Sequence, residues 1–291
     1  MPSPKTVGWV YSAWLFVVAT ALATASRPVA AASAPPATPQ WIRSNTVLVF
    51  DESHALTLLS KRANEAAPIA SITKLMTALV VLEAKQPMDE MLAVGNEDRA
   101  VGSGTASRLA IGSRLSRADL LHLALMSSEN RAAHALARYY PGGIAAALTA
   151  MNARAATLGM TRTHFEDPTG LSTANVASAS DLLRLVNAAS ANETIRSFST
   201  DHEFSVQVAG RALAFRNTNS LVSNPTWDIV VQKTGYISAA GRCLVMKTVI
   251  EGRTIVMVLL DSFGKYTRTA DATRIREWLV ATLAGQQPDR V

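Results

Sequence analysis

The sequence is poor in residues on which several classes of protein depend. It holds one cysteine, Cys243, so no disulfide forms within the chain. Aromatic residues make up 6% of the 291 residues, and the lysines and arginines are scattered rather than clustered. Nucleic-acid-binding modules combine basic patches with stacking aromatics, so we expect no nucleic-acid partner despite a net charge of +6.

Long apolar runs are equally scarce, and the single clear one covers residues 7–25, after Lys5. A basic start, an apolar run and the small residues Ala23 and Ala25 are the pattern of a secretory signal peptide. We therefore predict a signal peptide at residues 1–25, with cleavage anywhere between residues 25 and 34. A retained membrane anchor is the alternative, because the run is long enough to span a bilayer.

The remaining chain is predicted to form one domain. Residues 26–41 are rich in Ala, Pro and Ser and are typical of a flexible leader. The predicted domain, residues 42–284, has the size of one large domain, and a polar tail at residues 285–291 follows it. We expect an exported monomer that associates at most loosely with the membrane.

Strand-like segments lie near both ends of the chain and helix-like segments lie between them. β-Branched and aromatic runs predict strands at 46–50, 55–59, 203–208, 228–233, 242–250 and 254–260. Helical spacing or capping predicts helices at 72–84, 116–126, 130–139, 144–158, 180–191 and 269–284. We predict an α+β fold in which helices cover an antiparallel sheet built from both chain ends, with an inserted all-helical subdomain.

Ser71 and Lys74 are the first candidate catalytic pair. They lie at the start of a predicted helix, where residues i and i+3 share a face. A serine hydroxyl needs a base to act as a nucleophile. Burial lowers the pKa of a lysine towards neutrality, and a second cation, for which we take Lys233, would lower it further. The alternative is a capping serine beside a solvated lysine.

Ser128 and Asn130 lie on the predicted turn between two helices. We expect Ser128 to pass a proton between Lys74 or Lys233 and a leaving amine, and Asn130 to hold Lys74. The alternative is that Ser128 and its neighbour Ser127 only cap the helix that follows.

Lys233, Thr234 and Gly235 follow one another on a predicted edge strand. Charge and hydroxyl suit Lys233 and Thr234 to binding a carboxylate. Gly235 would leave room for substrate to approach the strand backbone. The N–H groups of Tyr236 and Ser71 would then stabilise the oxyanion of a tetrahedral intermediate.

No metal site or cofactor is predicted. His122 and His134 come nearest to a ligand spacing, but they are twelve residues apart and no third ligand is in view.

The three motifs Ser-x-x-Lys, Ser-x-Asn and Lys-Thr-Gly, in this order, resemble those of penicillin-binding proteins and serine β-lactamases. Residues 71–77 (SITKLMT) and 167–171 (DPTGL) resemble the D-alanyl-D-alanine carboxypeptidase family, serine peptidase family S11. Residues 125–132 and 233–243 are most similar to the endopeptidases of that family. The likeness spans residues 42–283.

This resemblance implies an exported serine peptidase that acts on peptidoglycan peptides and is inhibited by β-lactams. It implies that Ser71 is the acyl-ester nucleophile, Lys74 the base, Ser128 a further active-site residue and Lys233 the carboxylate binder. The expected reaction is cleavage of crosslinks between D-alanine and meso-diaminopimelate. Carboxypeptidase activity is the alternative, because both reactions attack a D-alanyl carbonyl and differ only in the leaving amine.

Two further alternatives use the same fold. A class A β-lactamase needs a glutamate that activates water, and Glu166 lies in Phe-Glu-Asp-Pro rather than in the Glu-x-x-Leu-Asn pattern. A non-catalytic sensor of wall peptides or β-lactams is disfavoured, because every catalytic residue type is present.

Overall fold

The computed structural model describes residues 1–5, 8, 39, 41–99 and 107–284. Contacts divide the chain into residues 1–34 and residues 35–291. The described residues of the first unit lie in no helix or strand. The predicted signal peptide and leader fall almost wholly outside the described residues, and the predicted tail falls wholly outside them. The fold below is that of the second unit.

The second unit combines strands and helices. Its strands are β1 (Thr46–Asp51), β2 (Leu56–Lys61), β3 (Ala67–Pro68), β4 (Met91–Ala93), β5 (Arg114–Ser116), β6 (Val176–Ala177), β7 (Glu203–Val208), β8 (Arg211–Arg216), β9 (Asp228–Ile237), β10 (Gly241–Ile250) and β11 (Arg253–Ser262). Its α-helices are α1 (Lys74–Glu83), α2 (Arg117–Met126), α3 (Asn130–Arg138), α4 (Gly143–Thr157), α5 (Ala179–Ser190), α6 (Glu193–Thr200) and α7 (Thr267–Ala284). Short 3-10 turns cover Ala70–Thr73, Asn96–Asp98 and Ser220–Ser223.

A five-stranded antiparallel sheet in the order β2-β1-β11-β10-β9 organises the fold. Thr46 of β1 pairs with Leu260 of β11, so the two chain ends meet in the middle of the sheet. This confirms the predicted α+β fold. The intervening region is mainly helical but also contains the two-stranded ladders β3-β6, β4-β5 and β7-β8.

Both faces of the sheet are buried. Along β11, Val256, Val258 and Leu260 join the core beneath the main helical layer, which includes α1, α2 and α5. The alternating residues Ile255, Met257 and Leu259 pack in a second core, to which α7 contributes. Successive side chains of a strand point to opposite faces, so a strand covered on both sides reads as a continuous apolar run. The sheet is thereby covered on both faces, and β9 is one of its two edge strands.

Helix starts follow local capping. The Ser116 hydroxyl accepts a hydrogen bond from the N–H of Asp119, as predicted for the start of α2. The predicted start of α5 at Ser180 was wrong, because Ser178 caps that helix by accepting from the N–H of Asp181. The Asp181 carboxylate is instead used to anchor the N–H of Arg162.

The predicted end of β9 at Lys233 was also wrong. The strand continues to Ile237, which pairs with Gly241 across a short turn. The Lys-Thr-Gly segment therefore lies on the edge strand, as predicted, but inside that strand and not at its end. Neither β8 nor α6 was predicted.

Cys243 lies buried in β10. Burial raises the pKa of its thiol to about 11, as is typical of an unreactive structural thiol. Across the stretches that the structure describes, no helix is long and apolar enough to cross a membrane.

Candidate active site

Lys74 stands at the point where three separate segments meet. Its Nζ lies 2.8 Å from Ser71 Oγ, 2.8 Å from Asn130 Oδ1 and 2.7 Å from the carbonyl oxygen of Thr169. The amide oxygen and the carbonyl can only accept hydrogen bonds, whereas the hydroxyl can also donate. When Lys74 is neutral, its two N–H groups satisfy Asn130 and Thr169, and its lone pair faces the proton of Ser71.

The environment of Lys74 favours that neutral state. The side chain is 1% exposed. Burial lowers its pKa to about 7, although the charges of Asp167 and Glu129 raise it. An amine with a pKa near neutrality serves well as a general base.

The predicted electrostatic role of Lys233 needs correction. We expected its charge to lower the pKa of Lys74, but burial accounts for the lowering found there. The pKa of Lys233 is itself well below its ordinary value, first because the residue is buried, then because Lys74 and Arg268 repel its charge. Burial and the two neighbouring cations thus disfavour the charged form of Lys233.

Two glycines let other elements close around the backbone of Ser71. An ideal Cβ on Gly170, whose φ is +83°, would lie 1.9 Å from the carbonyl oxygen of Ala70. An ideal Cβ on Gly235 would lie 2.9 Å from the Ile69 carbonyl oxygen and 3.2 Å from the Ser71 nitrogen. The missing side chain of Gly235 therefore lets β9 approach the 3-10 turn, which is a packing role in addition to the predicted room for substrate.

A loop that precedes β6 presents the Thr169 carbonyl to Lys74. Asp167 organises this loop: Oδ1 accepts from the N–H and hydroxyl of Thr169, each at 2.6 Å, and from the N–H of Gly170 at 2.9 Å. Its Oδ2 accepts from the N–H of Ser172 at 2.7 Å. This role of Asp167 was not predicted, because the group that it positions is a backbone carbonyl, which side-chain motifs do not reveal.

Ser128 adopts a left-handed backbone conformation with a φ of +62°. Such a conformation strains a non-glycine residue by about 1–2 kcal/mol. Among the residues that the structure describes, its hydroxyl makes no hydrogen bond. The capping alternative was wrong: Glu129 caps α3 by accepting from the N–H of Arg131, and the Ser127 hydroxyl donates back to the Leu123 carbonyl.

Lys233 forms the floor of a potential anion site. The side chain is fully buried, and within the described part of the chain its Nζ donates one hydrogen bond, to the Thr234 carbonyl at 3.1 Å. The Thr234 hydroxyl lies 2.6 Å from that of Thr218, and Tyr236 is 50% exposed. Burying an ammonium group with so few hydrogen-bond partners is unfavourable. A carboxylate that binds beside Lys233 would compensate this cost, so the residue is suited to binding one.

Arg268 is the main residue that the sequence analysis missed. It lies in the first turn of α7, and its Nη1 donates to the carbonyls of Gly235, at 2.8 Å, and Cys243, at 3.2 Å. Burial and then the charge of Arg242 lower the pKa of Arg268 to about 10. The position of Arg268 depends on the packing of α7 against the sheet, which no local sequence motif predicts.

Other candidates take no part in this cluster. The Glu166 carboxylate is exposed and pairs with His164 at 3.3 Å. His122 pairs with Asp201, and His134 pairs with Asp98. Within the described stretches, no group of three or more His, Cys, Asp or Glu side chains could hold a metal ion.

Comparison with known proteins gives a consistent result. A family model described as D-alanyl-D-alanine carboxypeptidase matches residues 30–264. The chain is 48% identical over 242 residues to the D-alanyl-D-alanine endopeptidase of Pseudomonas aeruginosa, which covers 82% of this chain and 78% of that protein. It is 45% identical over 270 residues to the D-alanyl-D-alanine endopeptidase of Escherichia coli, covering 91% and 87%.

A solved structure extends the likeness to the fold. The Streptomyces K15 DD-transpeptidase superposes with a TM-score of 0.75 at 26% identity, over 85% of this chain and 99% of that one.

Proposed function

This chain belongs to the D-alanyl-D-alanine carboxypeptidase family of serine peptidases, and on that premise we propose that it is an endopeptidase of peptidoglycan. It would cleave the crosslink between D-alanine and meso-diaminopimelate through an acyl-enzyme on Ser71, and β-lactams would block it by acylating the same hydroxyl. The observation that carries the proposal is the contact of Lys74 Nζ with Ser71 Oγ, Asn130 Oδ1 and the Thr169 carbonyl.

In the first half of the reaction, neutral Lys74 takes the proton of Ser71 while Oγ attacks the D-alanyl carbonyl carbon. The carbonyl oxygen becomes an oxyanion, which the N–H groups of Ser71 and Tyr236 stabilise. The intermediate collapses with loss of the amine of the next residue. That amine needs a proton, which passes from Lys74 through the hydroxyl of Ser128.

In the second half, water replaces the amine. Lys74, neutral again, takes a proton from water as the water oxygen attacks the ester carbonyl carbon. The bond between that carbon and Ser71 Oγ then breaks, Lys74 returns the proton to Oγ, and the acyl strand leaves with a new D-alanyl carboxylate. The leaving residue of the crosslink carries a free carboxylate. Lys233 and Thr234 bind this carboxylate, with Arg268 adding charge beside them, and the bound anion raises the lowered pKa of Lys233.

The acylation rate should depend on pH through Lys74. Its pKa is lowered to about 7, and only the deprotonated amine accepts the serine proton. Acylation by penicillin should therefore be slow in acid, rise about tenfold per pH unit below the pKa and level off about one unit above it. Stopped-flow or quenched labelling across pH measures this curve.

Glu129 offers a test of the cause. Its charge raises the pKa of Lys74, so Glu129→Gln should move the rise in acylation to lower pH. Glu203→Gln, at an exposed position of β7, is the matched control and should leave the curve in place. A curve that stays fixed in Glu129→Gln, or moves to higher pH, would contradict the assignment of Lys74 as the titrating base.

Endopeptidase and carboxypeptidase activities are separated by their substrates. Purified enzyme should cleave crosslinked muropeptide dimers at least about tenfold faster, in kcat/KM, than it removes D-alanine from pentapeptide monomers. Liquid chromatography of one mixed digest measures both. Faster trimming of the monomer would replace the endopeptidase assignment with the carboxypeptidase alternative.

We further propose that residues 1–25 direct export, that residues 42–284 form the peptidase domain and that the mature monomer works in the periplasm with at most loose membrane association. N-terminal sequencing of the protein from a periplasmic extract tests this. A protein that retains Met1 and resists extraction by salt would instead be membrane-anchored.

A further inference from the structure

Exposed aromatic side chains gather at one end of the sheet. Large apolar side chains are seldom exposed over the described stretches; the exposed ones are Met1, Leu56, Met91, Tyr236, Phe263 and Tyr266. The last three are 50%, 91% and 70% exposed. Scattered apolar residues on a surface need no explanation, but a group of them marks a binding site.

Strand register places Tyr236 at the same end of the sheet as the end of β11, and Phe263 and Tyr266 lie in the segment between β11 and α7. Tyr236 of β9 pairs with Arg242 of β10, and Arg242 pairs with Ser262 of β11, which Phe263 follows. The Arg242 guanidinium lies 4.4 Å from the centre of the Tyr236 ring. We call Tyr236, Arg242, Phe263, Lys265 and Tyr266 the rim patch.

Two charges accompany the three rings. Lys265 Nζ lies 5.3 Å from the centre of the Tyr266 ring, and Arg242 stacks on Tyr236. The neighbouring carboxylate, Asp261, is held by the Asn45 amide at 2.9 Å. The rim patch therefore offers flat apolar faces flanked by cations, which complements a ligand that combines apolar faces with carboxylates.

The direction of the substrate along β9 places this surface on one side of the scissile bond. Lys233 and Thr234 hold the carboxylate of the leaving residue, and the N–H of Tyr236 meets the carbonyl under attack. The acyl part of the substrate must then run past Tyr236, away from Lys233. It runs towards Ile237 and the rim patch, which is continuous with the proposed active site.

We propose that the rim patch binds the strand that donates the acyl group: its carboxylate-bearing peptide stem and the sugar to which that stem is attached. The rings stack on the C–H faces of the sugar, and Arg242 and Lys265 pair with carboxylates of the stem. This inference rests on the proposed function for the direction of the substrate. It adds a polymer-binding surface outside the catalytic cluster.

Binding to purified, insoluble peptidoglycan tests the inference without turnover. On a Ser71→Ala background, Phe263→Ala/Tyr266→Ala should weaken co-sedimentation with peptidoglycan about tenfold. The matched control, Leu56→Ala/Met91→Ala, removes two large side chains that are each 51% exposed elsewhere, and it should bind as the parent does. Equal binding by all three proteins would overturn the inference.

A second measurement separates this surface from the catalytic cluster. With Ser71 intact, Phe263→Ala/Tyr266→Ala should acylate with penicillin within about twofold of the wild-type rate, while KM for glycan-linked dimers rises about tenfold. An equal loss on penicillin and on dimers would overturn the inference, because it would mean that the catalytic site itself is damaged.

Anionic lipid vesicles provide the competing outcome. Loss of vesicle binding in the double variant, with peptidoglycan binding intact, would assign the rim patch to a membrane surface and overturn the proposal. The proposed function is tested separately. If the wild-type enzyme cleaves no dimers, the endopeptidase assignment is wrong. Sedimentation of the Ser71→Ala protein tests the rim patch independently, because it requires no turnover.

Discussion

Replacing Ser71 with alanine should abolish both covalent labelling by fluorescent penicillin and cleavage of wall peptides. Loss of a covalent nucleophile lowers turnover on the order of 10⁶-fold, below detection in either assay. The change leaves Lys74 in contact with Asn130 and Thr169, so the thermal unfolding temperature should change little. Gel fluorescence for labelling and chromatography for peptide products measure the two losses.

Two further variants test whether that result is specific to the nucleophile. Lys74→Ala keeps the hydroxyl but removes its base, so acylation should fall by about 10²–10⁴-fold rather than vanish. Ser205→Ala alters an exposed serine of β7 and should label as the wild type does. Undiminished labelling of the Ser71→Ala protein would disprove the assigned nucleophile and, with it, the proposed reaction.

Gly170→Ala should be the most damaging exchange of one small residue for another. The added Cβ would lie 1.9 Å from the Ala70 carbonyl oxygen and 2.8 Å from the Ser71 nitrogen, so the backbone that carries the nucleophile must move. We expect about 3 kcal/mol or more of lost stability. In the folded fraction, penicillin acylation should be at least about 10²-fold slower, because a shift of about 1 Å misaligns the reacting atoms.

Gly112→Ala is the control for backbone strain alone. Gly112 has a similar φ of +87°, but an added Cβ would meet no atom within 4 Å. This variant should lose only about 1–2 kcal/mol and should acylate normally. Thermal unfolding and penicillin labelling compare the two proteins directly. Equal behaviour of both variants would mean that strain, and not contact with Ala70, explains the requirement for glycine at position 170.

The sequence predicts those parts of the site that are formed by side chains. The structure brings Ser71, Lys74 and Asn130 into contact, because residues three apart at a helix start share a face and the next motif lies on an adjacent turn. The third partner of Lys74 is a backbone carbonyl, placed by the hydrogen bonds of Asp167. Such a contact depends on loop conformation, which residue types encode only weakly.

Errors in the predicted fold have equally local causes. Both Ser178 and Ser180 are good capping residues, and the choice between them depends on which serine reaches the N–H of residue 181. The predicted β-rich run stopped at Lys233, before Thr234 and Gly235, and glycine is depleted in strands. Pairing with Cys243 nevertheless carries the strand past it, and the glycine is needed for close packing. Arg268 could be placed only by the docking of α7.

The pairing of β1 with β11 determines when, during synthesis and folding, the active site can form. Ser71 and Lys74 are synthesised early, but Lys233 and Arg268 follow more than a hundred residues later, and β1 finds its neighbour only when residues 255–260 exist. Contacts between such distant segments form late, because the entropy cost of closing a long loop precedes the favourable energy of the contacts. A nascent chain therefore carries Ser71 before Lys233 and Arg268 exist. The complete active site can form only once the last quarter of the chain has been synthesised.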